Sequence, residues 1–205
     1  MKDSIVSLLG NSRDSFTNRS AGQVHEFYIT GQIKEPSEYT EWFDTIRHSG
    51  ETDFIILYIN SVGGNLFTAL QFLSVLNDSE ATVVVQVEGA CMSAATMIML
   101  AGDKFILSPH SMFMYHNYSG AAVGKGGEMY DNIMFERKWS KDFLHEVYQE
   151  FLTKKEIDAI LNNKDLWLTT HEVAERLRKK AKIVASHMEE LLEESNDDYN
   201  TVPNS

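Results

Sequence analysis

One cysteine, Cys91, stands among 205 residues, so the chain forms no internal disulfide, and it carries no zinc-type cysteine or histidine spacing. That usage fits a reducing cytosol. Basic residues are scarce: 18 Lys and Arg face 30 Asp and Glu, a net charge of -12, which argues against non-specific nucleic-acid binding. No apolar run approaches the ~20 residues of a membrane span. The first ten residues hold too short an apolar stretch for a secretory signal. A Gly-Lys-Ser/Thr phosphate loop is missing too. No cofactor, metal, membrane or nucleic acid is therefore called for. With 43% hydrophobic residues the chain can fill one sizeable core.

Hydrophobic periodicity organises the rest. Residues 1–25 are polar and weakly patterned and read as a flexible arm ahead of one domain over 26–188. Strands are expected at Glu26–Gly31, Phe54–Ile59, Thr82–Val87, Lys104–Leu107 and Ser111–His116, and helices at Glu38–Ile46, Leu66–Leu76 and up to Leu100. The run Phe54–Ile59 suits a sheet covered on both faces. Asn60–Asn65 reads as a tight turn and Ser119–Gly127 as a glycine-rich connection. Alternating strands and helices at this spacing predict an α/β fold of right-handed βαβ units around a mostly parallel sheet. A long helix should span Glu128–Leu152, with Met129, Ile133, Trp139, Phe143, Val147 and Phe151 as a drifting apolar stripe. Thr153–Glu156 and Thr169–Glu172 fit capping boxes. Residues 189–205, with six acids and no base, read as a disordered tail.

The chemistry centres on Glu88–Thr96, where Ser93 sits between a β-branched strand and an apolar helix, walled by small residues. A nucleophile needs this kind of exposed corner, with backbone N–H groups nearby and a helix N-terminus at its back. A small-residue packing turn explains the same letters, so the partners decide. Of seven histidines, His116 ends a strand beside the serine unit, where α/β sheets bind ligands. It is the best base, with His110 the nearest rival. Gly64 and Ala94 can supply two oxyanion N–H groups. Cys91 reads as a small filler. Asp165 lies in a turn, and its residues alone say only that it forms one.

Four segments in this order resemble the Clp protease family (ClpP). Tyr58–Gly64 is similar to its Tyr-Ile-Asn-Ser-Pro-Gly-Gly loop, with Val62 in place of the proline. Gly89–Ala95 resembles its serine elbow, Met112–Asn117 its histidine segment, and Lys164–Ala174 its Asp-x-Phe/Trp-Leu segment, with Leu166 where many members carry a ring-linking arginine. The resemblance covers about residues 27–186. It implies a ClpP/crotonase-like spiral of βαβ units with a protruding handle helix at about 128–152. It also implies a Ser93–His116–Asp165 triad with Gly64 and Ala94 as the oxyanion hole. The expected protein is a cytoplasmic serine endopeptidase that needs no cofactor. It would cut polypeptides inside a heptamer-like, stacked homo-oligomeric ring fed by an AAA+ unfoldase. Phage-encoded relatives, some of them capsid-maturation proteases, would act in a host cytoplasm. A crotonase-like acyl-CoA enzyme and a non-catalytic ring scaffold are the competing readings.

Overall fold

The computed structural model describes residues 22–121 and 123–183. Most of the expected arm, His187 and the expected acidic tail lie outside them. In chain order the elements are β1 (Val24–Ile33), a single 3-10 turn (Pro36–Tyr39), α1 (Thr40–Arg47), β2 (Phe54–Gly64), α2 (Leu66–Asn77), β3 (Thr82–Met92), α3 (Ala94–Leu100), β4 (Lys104–Leu107), β5 (Met112–Tyr115), α4 (Gly126–Tyr148), α5 (Lys154–Leu161) and β6 (Leu166–Thr169). A final helix, α6, runs through 170–183. This is a mixed α/β fold on a mostly parallel sheet, as expected for a ClpP/crotonase-like chain.

The sheet order is β1-β2-β3-β5-β6, with β4 also paired to β3. All pairings are parallel except β5 with β6, which is antiparallel. One edge of β3 is shared. Val84–Val87 pair with β4, and Ala90–Met92 pair with β5. The sheet therefore changes partner part-way along β3, just before the serine junction.

Strict alternation fills the core. Ile55, Leu57 and Ile59 of β2 and Val83, Val85 and Val87 of β3 are buried on one face, beside the wholly buried α3. Each such side chain contributes roughly 1.5–3 kcal/mol on burial. Among the described residues no element covers the other face, where Ile56 and Tyr58 are half-buried and Phe54 is exposed, so the run Phe54–Ile59 is fully buried on one side only. Tyr28 stacks on Tyr58 there at 4.6 Å, and the Lys104 ammonium lies 6.0 Å from the Phe54 ring.

Other boundaries move for local reasons. The expected turn at Asn60–Asn65 is strand as far as Gly64, because Gly63 and Gly64 stay paired with Gln32 and Ile33. The chain then enters α2 directly, with the Asn65 side chain accepting the Thr68 N–H at 3.0 Å. β3 continues past Val87 because the Asn60 side chain accepts the Ala90 N–H (3.0 Å) across a break in the β2–β3 register. The long helix begins two residues early and ends at Tyr148, since Thr153 adopts extended backbone and caps α5. Nearly every residue from 126 to 138 is exposed, so the first half of α4 projects from the body. Both predicted capping boxes form: Glu156 accepts from Thr153 N–H (2.8 Å), and Glu172 accepts from Thr169 N–H (2.8 Å).

Candidate active site

β3 delivers Ser93 to the first turn of α3 in an uncommon conformation, φ 54° and ψ -129°. A non-glycine residue there stores about 1–3 kcal/mol of backbone strain. The surroundings hold it in place. Ser93 N–H donates to the Met114 carbonyl of β5 (2.8 Å), and the Ser93 carbonyl accepts the Thr96 N–H (2.9 Å). On the far side lies Gly63, at φ 92°. A Cβ at Gly63 would fall 2.6 Å from the Ser93 Cβ and 2.7 Å from the Met92 carbonyl, so the glycine lets the β2 end press against the elbow.

The residues of the Asn60–Gly64 segment divide the work. Asn60 bridges to β3, as described. Ser61, fully buried, donates to the Gly31 carbonyl (2.6 Å) and accepts the Gly63 N–H (3.1 Å). That bond occupies the Gly63 N–H and leaves the neighbouring Gly64 to border the cleft. Ala94 opens α3, where the first N–H groups have no partner inside the helix. Gly64, Ser93, Ala94 and His116 line one cleft of about 650 Å³.

His116 follows β5 directly. The parallel pairing of Met92 with Met114 brings it level with the elbow, and His116 Nε2 lies 2.6 Å from Ser93 Oγ. With Nε2 unprotonated the serine hydroxyl donates to it, the geometry general-base chemistry requires. Asp165 precedes β6. Tyr115 pairs with Leu166 at the end of the antiparallel ladder, and His116 and Asp165 are the residues that follow and precede that last rung. Asp165 is exposed there, and among the hydrogen bonds and ion pairs of the described residues none joins it to His116. Two of the three expected residues are thus in contact, and the third lies one residue before the strand that pairs with β5.

The alternatives separate cleanly. Cys91 is fully buried, and burial pushes its thiol well above the usual range, which removes it as a nucleophile. His110 is exposed in the turn between β4 and β5. His48 and His171 face carboxylates on their own helices. His145 is half-buried beside Asp158 at 3.6 Å, because α5 folds back along α4.

Sequence reasoning missed the cleft walls and the support behind the elbow. Phe67, Leu70 and Met97 form an apolar side. From α4, Asn132, Phe135, Glu136 and Trp139 face the cleft at helical spacing. Burial and the adjacent Glu136 raise the Tyr118 phenol. Behind Ser93 lies the fully buried Thr96, next to the Tyr148 hydroxyl at 2.8 Å. A lone threonine in the otherwise apolar run Ala94–Leu100 was a legible signal, since a buried hydroxyl needs a partner. No pattern marked Tyr148. Among the described residues no helix is long and apolar enough to cross a membrane, and no group of three acidic, histidine or cysteine side chains is placed to hold a metal ion.

Comparison with known proteins agrees with this architecture. The chain is 25% identical over 179 residues to an ATP-dependent Clp protease proteolytic subunit of Leuconostoc citreum, covering 84% of this chain and 78% of that one. It is 26% identical over 184 residues to the subunit of the same name from Streptococcus pneumoniae, covering 85% and 82%. The family model described as Clp protease matches residues 29–176, which carry the elbow, His116 and Asp165. With that match spanning most of its length, the chain belongs to the Clp protease family.

Proposed function

We propose that this chain is a serine endopeptidase working through Ser93, His116 and Asp165. The observation that carries the reading is the 2.6 Å contact between Ser93 Oγ and His116 Nε2 on a positive-φ elbow at the start of α3. His116 takes the hydroxyl proton as Ser93 Oγ attacks the peptide carbonyl. The tetrahedral oxyanion receives the N–H groups of Gly64 and Ala94, each such donor being worth about 2.7–4 kcal/mol in the transition state. The imidazolium then gives its proton to the leaving amine, and the acyl-enzyme is hydrolysed by water activated through the same ring. Asp165 steadies the imidazolium from the start of β6. Its carboxylate turns toward Nδ1 to do so.

The relatives are named as proteolytic subunits of ATP-dependent proteases. Together with the projecting α4 they support a homo-oligomeric, heptamer-like ring that encloses the clefts and receives polypeptides from an AAA+ unfoldase in the cytoplasm. Fluorophosphonate labelling with peptide mapping tests the chemistry. The wild type is labelled at Ser93, His116→Ala is labelled far more slowly, and Ser93→Ala not at all. Undiminished labelling of Ser93→Ala overturns the assignment. Native mass spectrometry tests the ring, which a stable monomer at micromolar concentration refutes.

A further inference from the structure

The proposed proton chain leaves unused the hydroxyl pair behind the elbow. Thr96 delivers two hydrogen bonds to one acceptor, its N–H (2.9 Å) and its Oγ1–H (2.7 Å) both donating to the Ser93 carbonyl. A threonine hydroxyl has a single proton. With that proton committed to Ser93, the 2.8 Å contact with Tyr148 has the phenol donating to Thr96 Oγ1. Thr96 and Tyr148 are both fully buried, so no water replaces either bond. Thr96 of α3 thereby holds one carbonyl directly, and Tyr148 at the end of α4 supports it through Thr96.

That carbonyl has a particular neighbour. The Ser93 C=O and the Ala94 N–H belong to one planar trans peptide and point in opposite directions. Fixing the carbonyl on the inner side fixes the N–H on the cleft side. The preceding peptide is pinned as well, through Ser93 N–H to the Met114 carbonyl. Without the Thr96 bonds the Ser93–Ala94 plane would be free to relax from its sparsely populated ψ of -129°.

We infer that Thr96 and Tyr148 are positioning residues that aim the Ala94 N–H at the oxyanion. The kinetic consequence rests on the serine-peptidase reading, whereas the clamp on the peptide plane is a property of the fold. Tyr148 is the last residue of α4, so the same clamp ties the projecting helix to the elbow.

The test uses Thr96→Val, Thr96→Ser and Tyr148→Phe in the full chain, read by turnover of a fluorogenic peptide and by amide hydrogen exchange across 93–97. Thr96→Val and Tyr148→Phe should each lower kcat about tenfold, the effect of losing one buried hydrogen bond from an aligned donor. KM should stay within about twofold, because the donor acts in the transition state. Thr96→Ser keeps the hydroxyl and should retain wild-type kcat. Exchange at position 96, whose N–H donates to the clamped carbonyl, should accelerate in the two impaired variants only. Unchanged kcat in both, or equal impairment of Thr96→Ser and Thr96→Val, overturns the proposal. If the wild type neither turns over nor labels, the peptidase reading fails, and the exchange data alone judge the clamp: unchanged exchange at position 96 refutes it. Tyr148→Phe deletes only an oxygen and keeps the test decisive should Thr96→Val fold poorly.

Discussion

Replacing Gly63 by alanine should damage the site more than the fold, and Gly31 provides the control. Both glycines have positive φ, 92° and 70°. An alanine at either position pays the left-handed backbone penalty of about 1–2 kcal/mol. At Gly31 a Cβ meets nothing within 4 Å, so that penalty is the whole effect. At Gly63 the new methyl lies 2.6 Å from the Ser93 Cβ, and the two must separate by about 0.8 Å to reach ordinary contact at 3.4 Å. Overpacking of this kind adds about 1–3 kcal/mol. With a urea dependence of roughly 2 kcal/mol per molar, the Gly63→Ala midpoint should fall about 0.5–1.5 M below that of Gly31→Ala. The displaced side chain is the proposed nucleophile, and misplacement by about 1 Å costs up to about a hundredfold in rate. Fluorophosphonate labelling should therefore slow at least tenfold in Gly63→Ala and stay near wild type in Gly31→Ala. Equal midpoints and equal labelling rates for the two variants would refute the steric argument.

Other outcomes follow from single contacts. Arg176 forks onto Glu156 (2.7 and 2.9 Å) and is the main reason its carboxyl titrates at about 2 instead of 4.5. The pair's stabilisation, at most about 3 kcal/mol, is full above about pH 4.5 and fades as pH falls toward 2. Glu156→Gln should flatten that acid limb in thermal melts between pH 5 and 3, and an unaltered pH dependence contradicts the pairing. Asp165 is exposed and unpaired with His116, so Asp165→Asn should change stability by less than about 0.5 kcal/mol. It should nonetheless lower peptide turnover by at least a hundredfold if it orients the imidazolium; wild-type turnover would remove Asp165 from the mechanism. The buried Cys91 thiol should stay unreactive toward a disulfide reagent in native buffer and react on unfolding. Rapid native modification would show the β3 end to be open.

Much of this was legible because it depends on short-range chemistry. The β-branched run in β3 and the helical spacing in α2 announce their elements. Ser93 and His116 were found from their place at strand ends, and the ladder brings them together. The registers were not legible. Nothing in Asn60–Asn65 says that the two glycines remain paired to β1, because their conformations matter only once β1 is beside them. Nor does the sequence show β6 running antiparallel, since Leu166–Thr169 is short and its direction is set by the α5 turn at Asn163, with φ 61°. The second sheet face was misread because an apolar run does not say how much of each of its two sides is covered. Tyr148 escaped notice because its role depends on where α4 ends.

The shared edge of β3 gives one strand two separable halves. Val84–Val87 are locked between β2 and β4 inside the core, whereas Ala90–Met92 lean on β5 through three rungs. Loosening β5 would free the serine end without melting the hydrophobic layer beneath. Such a division lets the reactive tip drift and adapt while the load of folding stays on the other half, so sequence change should be tolerated unevenly along a single continuous strand.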